Sequence, residues 1–171
     1  MNEIIAGTYQ CEPYPCDINR NIATIEVICQ NNPTLDIILF PEVFLTGYNI
    51  GIDNLRKYSI SIDGPEIKKI CSIAVQTKIA IAFGYAEKVE NNNNNNNNNT
   101  AIEIYNSCCL IDYNGNIVLN YRKTHLFDPY LTYEKLVFTP GNELPICDIF
   151  LYHYNNTIKI GILICFDNEF V

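Results

Sequence analysis

Apolar positions in the first half of the chain form two kinds of pattern: short continuous runs, which predict strands, and stripes at helical spacing, which predict helices. In the first helix the stripe consists of Ile22, Ile25 and Cys29, behind the capping candidates Asp17 and Asn19. The elements follow in the order β-α-β-α-β, which places the chain in the α/β class. They are a strand over residues 3–10, a helix over residues 17–30, a strand over residues 36–40, a helix that opens at residues 63–66 and a strand over residues 79–86.

The second half of the chain differs in character, because turn signals rather than helical stripes separate its apolar runs. Asn114 and Gly115 form the strongest of these signals, that of a two-residue hairpin turn. We expect at least seven strands in the whole chain but only two convincing helices. The second half is predicted to contain strands over residues 102–111 and 116–121, a long loop over residues 124–148, a second hairpin turn over residues 154–157 and a short apolar strand over residues 161–164.

Residues 91–99 are a run of asparagines between two predicted strands. Such a segment has nothing to bury, and we interpret it as a disordered insertion in a hairpin connection. The sequence shows no domain boundary and no internal repeat, so residues 1–171 are interpreted as one domain.

Composition narrows the class of protein. Of the 171 residues, 48% are hydrophobic, and the net charge of −8 argues against nucleic acid or an anionic membrane as partner. The amino terminus lacks the basic region of a signal peptide, and no apolar run approaches membrane-spanning length, which indicates a cytoplasmic protein. Because there is no glycine-rich phosphate loop and no cluster of histidines, we expect neither a cofactor nor a metal.

Eight cysteines are spread along the chain without a C-x-x-C pair, which argues against structural zinc and a disulfide framework. Most are expected to be small buried hydrophobic residues. Cys165 differs, because it lies at the predicted end of a strand beside acidic residues. Glu42 and Lys123 also follow predicted strands. Since side chains just past the carboxyl ends of strands in open α/β sheets face a crevice, these three residues are candidates for one site.

Three segments around these residues resemble the signature blocks of the nitrilase, or carbon-nitrogen hydrolase, superfamily. The segments are residues 40–48, 121–127 and 161–167, in the order found in the family, and the resemblance extends from residue 3 to the carboxyl terminus. It implies a nitrilase-like α-β-β-α sandwich. Because chains of the family continue past the cysteine block, it also implies that this chain supplies only the N-terminal part of that fold and is incomplete at its carboxyl end.

The resemblance further implies a catalytic set of Glu42, Lys123 and Cys165. A thiol attacks well only as thiolate and therefore requires a base within hydrogen-bond reach, which is the role of Glu42. The Lys123 ammonium and the backbone N–H of Phe166 would stabilise the negative charge that develops on the former carbonyl oxygen or nitrile nitrogen. The family often has a second glutamate that positions these groups, and Glu134 matches it.

The implied function is hydrolysis of a non-peptide carbon-nitrogen bond in a small amide, carbamoyl compound or nitrile through a cysteine thioester. Residues 45–49 are closer to the amidase and carbamoylase branches than to the true nitrilases. The partner is then a small molecule, and a homo-oligomer is compatible with the sequence. The alternative from another class is a catalytically inactive truncated relative or a non-enzymatic interaction protein.

His125 admits a second interpretation, a Cys-His dyad with Cys165. The resemblance disfavours it, because the family commonly carries at this position a histidine that is not the base. His153, beside the second turn, is interpreted as structural. We also expect Cys165 to be alkylated before the buried cysteines, and a Glu42→Gln variant to be alkylated more slowly.

Overall fold

The computed structural model of the protein describes residues 3–91, 101–127 and 133–170. Within these ranges the chain forms seven strands, four α-helices and one 3-10 helix. In chain order they are β1 (Ala6–Thr8), α1 (Ile18–Asn31), β2 (Ile37–Leu39), α2 (Ile52–Tyr58), α3 (Pro65–Thr77), β3 (Ala80–Asn91), β4 (Ala101–Ile111), β5 (Ile117–Arg122), α4 (Glu134–Val137), β6 (Ile146–Leu151), β7 (Asn156–Gly161) and the 3-10 helix Cys165–Phe170.

The first five strands form one sheet in the order β1-β2-β3-β4-β5. The strands β1, β2 and β3 run parallel, with helices in both connections, which confirms the predicted β-α-β-α-β order. The ladder then becomes antiparallel: β3 pairs with β4 as far as Asn91 opposite Ala101, and β4 pairs with β5 across the predicted turn. The strands β6 and β7 form a separate two-stranded sheet around the second predicted turn.

One face of the five-stranded sheet is covered by α1 and α3. The Asp17 side chain caps α1 by accepting a hydrogen bond from the backbone N–H of Arg20 at 3.1 Å. The predicted stripe of Ile22, Ile25 and Cys29 is buried and packs with α3 and β3 in one core cluster. Because each fully buried aliphatic side chain contributes about 1.5–3 kcal/mol, this cluster holds the helices on the sheet.

The opposite face of the sheet packs against the β6–β7 hairpin. Ile149 and Leu151 of β6 lie in a second core cluster with Leu110, Leu119 and Tyr121 of the sheet. The described residues therefore form three layers, in the order helices, five-stranded sheet and hairpin. The predicted α/β class is confirmed, and these layers correspond to the α-β-β part of the predicted sandwich.

Several strands differ in length from the prediction. A strand extends only as far as a neighbouring strand pairs with it, whereas the prediction followed the apolar runs. The strand β1 covers three residues of the predicted residues 3–10, since β2 offers only three partners. The ladder of β7 ends at Gly161, opposite Ile146, where β6 begins. The apolar residues 162–164 are therefore not a strand, and the expectation that a strand leads directly into Cys165 is wrong.

The sequence also underestimates the number of helices. The helix α2 was not predicted, because it is only seven residues long and buries only Leu55, which gives no apolar stripe. The long loop predicted over residues 124–148 contains the single turn α4 and the start of β6. The predicted disordered insertion at residues 91–99 falls, apart from the backbone of Asn91, outside the described residues.

Gly84 of β3 leaves the space in which the loop after β2 lies. A Cβ atom at Gly84 would be 2.6 Å from the carbonyl oxygen of Pro41 and 2.8 Å from the carbonyl carbon of Glu42, and it would also meet the backbone nitrogen of Val43. These are backbone atoms, which cannot rotate away as a side chain can. The missing Cβ therefore allows the loop that carries Glu42 to rest directly on the sheet.

We expect Gly84→Ala to destabilise the protein by about 1–3 kcal/mol or more, because the loop must move to admit the methyl group. Thermal unfolding followed by circular dichroism measures this as a fall of several degrees in Tm. The matched control is Gly161→Ala, where the nearest atom would be 3.5 Å away, an ordinary contact. Equal Tm values for the two variants would contradict the role of Gly84.

Candidate active site

The loop after β2 fixes the backbone of Glu42. Phe40 N–H donates to the carbonyl oxygen of Ala82 at 2.8 Å, and Leu45 N–H donates to that of Gly84 at 3.1 Å, so both ends of the loop are tied to β3. Val43 has a φ of 48°, in the left-handed region that β-branched residues rarely adopt. The loop is thus held in one strained shape, and Glu42 projects from it.

Lys123 follows β5 directly, and its side chain is buried, with 1% exposure. Its Nζ donates to Glu42 Oε1 at 2.8 Å and to Glu134 Oε1 at 2.9 Å. Burial alone would lower the pKa of the Lys123 ammonium, but the hydrogen bonds and negative charges of the two carboxylates outweigh it and raise the pKa. Lys123 is therefore a buried, permanently charged ammonium held between two carboxylates.

Glu134 lies in α4 and is also buried. Besides Lys123, its carboxylate accepts hydrogen bonds from the Tyr48 hydroxyl at 2.6 Å and from the Phe127 backbone N–H at 2.7 Å. The Tyr48 pKa is raised by burial first and then by its hydrogen bond to Glu134, so the hydroxyl remains a donor. The structure thus joins Glu134 to Lys123, as the resemblance implied for a positioning glutamate.

Cys165 begins the 3-10 helix with a φ of 48°, a conformation that costs free energy in a residue other than glycine. All eight cysteines lie in described ranges, and Cys165 alone among them is exposed. Its thiol is hydrogen-bonded to the Glu42 side chain. Burial, and next the negative charge of Glu42, raise the pKa of the Cys165 thiol, while Lys123 opposes the shift. At neutral pH the resting group is therefore the protonated thiol.

Phe166 is the second residue of the 3-10 helix, so its backbone N–H belongs to a first turn whose amides have no acceptor within the helix. Its ring packs against Phe127 with ring centroids 5.3 Å apart. The structure therefore brings together the side chains of Glu42, Lys123, Glu134 and Cys165 from four separate parts of the chain, with the Phe166 amide next to the thiol.

Asp167 holds this arrangement together, and the sequence analysis did not single it out. It is buried at 1% exposure and accepts hydrogen bonds from Tyr121 Oη at 2.7 Å, from His125 N–H at 2.9 Å and from Ile164 N–H at 2.9 Å. Burial alone would raise the pKa of the Asp167 carboxyl, but these hydrogen bonds outweigh it and lower the pKa. The carboxylate ties the thiol-bearing helix to the segment that follows Lys123.

The sequence analysis also did not identify Asn106 and Tyr48 as residues that contact the site. Asn106 Nδ2 donates to Glu42 Oε1 at 2.7 Å, and Tyr48 reaches Glu134 as described above. A signal for Asn106 was available, because it is an amide side chain inside the long, largely apolar run of β4. Tyr48 gave no such signal, since tyrosine is common in loops that border a core.

The two histidines contact neither Glu42 nor Lys123 in the hydrogen bonds of the described residues. His125 Nδ1 lies 3.1 Å from Asp167 Oδ1, and its ring stacks on Phe170 at a centroid distance of 4.2 Å. The Cys165 thiol instead donates its hydrogen bond to the Glu42 side chain. This geometry favours Glu42 over His125 as the base. His153 lies beside the β6–β7 turn with its ring against Tyr152.

Two cavities meet at the thiol. One of about 310 Å³ is lined by Pro41, Glu42, Tyr48, Phe127 and Cys165. The other, of about 170 Å³, extends from Glu42 and Cys165 between the sheet and residues 162–164. In the part of the chain that the structure describes, no group of three or more acidic, histidine or cysteine side chains could hold a metal ion. No described helix is long and apolar enough to cross a membrane.

Comparison with known proteins identifies the family. The profile of the carbon-nitrogen hydrolase family matches residues 5–171. The chain belongs to the carbon-nitrogen hydrolase family. Among curated proteins it is similar to the "Hydrolase in pqqF 5'region" of Pseudomonas protegens, with 33% identity over 95% of this chain and 50% of that protein. It is also similar to a probable nitrilase of Schizosaccharomyces pombe, with 32% identity over 94% of this chain and 54% of that protein.

The fold is also that of solved amidase structures. An amidase from Nesterenkonia sp. superimposes with a TM-score of 0.65 at 19% identity, over 95% of this chain and 55% of the amidase. At that identity the likeness shows the fold alone. The chain spans about half the length of the curated relatives it matches.

We expect Asp167→Asn to lower the free energy of unfolding by about 1–3 kcal/mol at neutral pH, because the donors around Asp167 lose a charged acceptor. Because the pKa of the Asp167 carboxyl is lower in the folded state, its contribution to stability is fully present above the unfolded-state pKa of about 3.9. The stability gap between wild type and variant should therefore close as pH falls from there through the folded pKa.

Urea unfolding at a series of pH values measures this gap. The matched control is Asp148→Asn, because Asp148 is exposed and pairs only across the β6–β7 hairpin with Lys159 at 2.8 Å. That substitution should change stability by no more than about 1 kcal/mol. A gap for Asp167→Asn that stays constant down to strongly acidic pH would contradict the assignment.

Proposed function

We propose that the protein hydrolyses a non-peptide carbon-nitrogen bond in a small amide through a thioester on Cys165. The observation that carries the proposal is the chain of contacts from Glu134 through Lys123 to Glu42 and on to the Cys165 thiol. Four polar groups from distant parts of the sequence converge beside a cavity, and each has the chemistry that such a reaction requires. Membership of the carbon-nitrogen hydrolase family supports the same reaction class.

The first step follows from the protonation states. Cys165 rests as a thiol, so its proton must leave as sulfur attacks the carbonyl carbon, and the hydrogen-bonded Glu42 carboxylate is placed to take it. A carbon-sulfur bond forms while the carbonyl π electrons move to oxygen. Because the thiol rests protonated, this step requires Glu42 as a base, unlike a mechanism that starts from a resting thiolate.

The developing oxyanion requires donors that are fixed before the reaction begins. A lysine ammonium has three N–H donors, of which Lys123 directs two to Glu42 and Glu134. The third remains for the oxyanion, together with the Phe166 amide in the first turn of the 3-10 helix. Such preorganised donors commonly contribute the largest part of the rate enhancement in acyl transfer.

Collapse of the tetrahedral intermediate breaks the carbon-nitrogen bond. The proton held by Glu42 passes to the departing nitrogen, so ammonia or an amine leaves neutral and the acyl group remains on Cys165 as a thioester. Glu42, again a carboxylate, then takes a proton from water as the water oxygen attacks the thioester. The carbon-sulfur bond then breaks, and Glu42 returns the proton to the departing sulfur. The products are a carboxylic acid and the free thiol, so Glu42 serves as base and acid in turn.

The site also bears on the substrate class. Carbamoyl compounds and nitriles can follow the same attack, but the cavity of about 310 Å³ with Tyr48 and Phe127 in its wall fits a small amide with an apolar acyl group. We expect no cofactor, because every proton transfer above is assigned to a side chain. The partner is then a small molecule, and self-association is a separate question that the site does not require.

We expect the purified protein to release ammonia from simple amides such as acetamide, propionamide and benzamide. Cys165→Ala should lower the rate by at least about 10³-fold, because no thioester can form. Cys71→Ala is the matched control, since Cys71 lies on α3 on the other side of the sheet. Ammonia release that survives Cys165→Ala, or its absence across the amide panel in wild type, would refute the proposal.

The electrostatics reverse the expected effect of Glu42→Gln on alkylation. Burial raises the pKa of the Cys165 thiol most, and the negative charge of Glu42 adds to that rise, while Lys123 opposes it. Removal of the Glu42 charge should therefore leave the pKa of the thiol less raised than in wild type. The variant should therefore react faster with iodoacetamide at neutral pH while amide hydrolysis is lost. Glu26→Gln, on α1, is the control and should leave the alkylation rate unchanged. Slower labelling of Glu42→Gln would show that Glu42 promotes thiolate formation in the resting protein.

A further inference from the structure

Asn106 makes contacts that packing alone does not explain. It lies in β4 with 1% exposure, and its Nδ2 donates to Glu42 Oε1 at 2.7 Å. Its Oδ1 is buried and has no hydrogen-bond partner. A buried acceptor without a partner destabilises a folded protein, whereas a leucine of the same shape would not. The asparagine side chain therefore lowers the stability of the fold, and the one hydrogen bond that this side chain makes is donated to the candidate base.

The two oxygens of Glu42 are not equivalent. Oε1 accepts from Asn106 Nδ2 at 2.7 Å and from Lys123 Nζ at 2.8 Å. A carboxylate oxygen has about two lone-pair sites, so Oε1 is saturated by these donors. The Cys165 thiol is also hydrogen-bonded to the Glu42 side chain. Oε2 is then the oxygen with capacity to accept a proton.

The backbone around Asn106 makes this arrangement rigid. Lys123 N–H donates to the carbonyl oxygen of Asn106 at 2.8 Å, so the two residues that hold Glu42 Oε1 are also bonded to each other. Asn106 lies opposite Ala86 in the long β3–β4 ladder. The two donors thus approach Oε1 from β4 and from the residue directly after β5, which are hydrogen-bonded to each other.

We propose that Asn106 is a positioning residue that, together with Lys123, fixes Glu42 through Oε1 and leaves Oε2 as the atom that exchanges the proton with Cys165. The inference rests on the proposed function and assigns an atom within it. The titratable groups that surround Glu42 are Tyr48 of the same loop, Lys123 after β5, Glu134 of α4 and Cys165 of the 3-10 helix. Asn106 is not titratable, so it orients the carboxylate without adding charge.

The test is Asn106→Leu, which keeps the volume and removes both the donor and the unpartnered acceptor. We expect the variant to be at least as resistant to urea as wild type, while kcat falls about 10- to 100-fold, in the range of a 1 Å misplacement. KM should stay near the wild-type value, because Asn106 lines neither of the two cavities at the thiol. A structural role alone would change stability and leave kcat in place.

The matched control is Asn120→Leu. Asn120 Nδ2 donates at 3.1 Å to Glu87, a buried carboxylate that is paired with Arg122 on the helix-covered face of the sheet. It therefore resembles Asn106 in chemistry but lies away from the thiol. We expect Asn120→Leu to affect urea resistance while kcat stays near the wild-type value.

A readout that does not require turnover separates this inference from the proposed function. The pH dependence of Cys165 alkylation should shift in Asn106→Leu in the same direction as in Glu42→Gln, because Glu42 is no longer held at the thiol. If wild type hydrolyses no amide, the proposed function fails and the alkylation midpoint alone decides the role of Asn106. If Asn106→Leu does not fold, Asn106→Ala, which also removes the donor and adds no charge, is measured in the same way. A wild-type alkylation midpoint together with a wild-type kcat in the folded variant would overturn the inference.

Discussion

The buried ammonium of Lys123 is the interaction on which the rest of the site depends. Removing an ion from water costs several kcal/mol, and the cost is recovered only when opposite charges lie at hydrogen-bonding distance. Glu42 and Glu134 meet that requirement at 2.8 and 2.9 Å. Because the three groups come from the end of β5, the loop after β2 and α4, all of these elements must be in place before the charge is stabilised. Folding of this region and assembly of the site are therefore one process.

Burial and the charge balance of this cluster together explain the state of the thiol. Burial raises the pKa of Cys165 most, and the negative charges of Glu42 and Glu134, which Lys123 opposes, raise it further. A Cys-His pair produces the opposite result, because an imidazolium stabilises the thiolate. In this protein the nucleophile is created only as the proton moves to Glu42. Geometry, rather than a preformed ion pair, has to supply the reactivity.

The sequence predicted the parts of the fold that depend on local pattern. The α1 stripe, the parallel strands and both hairpin turns follow from apolar spacing and turn chemistry, and the three signature blocks located Glu42, Lys123 and Cys165. What the sequence could not supply depends on partners distant in the chain. Residues 162–164 have the composition of a strand but no partner beyond Ile146, and the role of Asp167 exists only because the segment after Lys123 folds against it.

The long β3–β4 ladder separates the loop that carries Glu42 from the asparagine tract. The loop of Glu42 rests on Gly84, whereas the chain leaves β3 at Asn91 and enters β4 at Ala101. At about 3.4 Å per residue, the seven residues from Gly84 to Asn91 put roughly 24 Å between the two points. A change in the length of the asparagine tract at that end of the ladder would therefore leave the backbone contacts between the Glu42 loop and β3 unchanged.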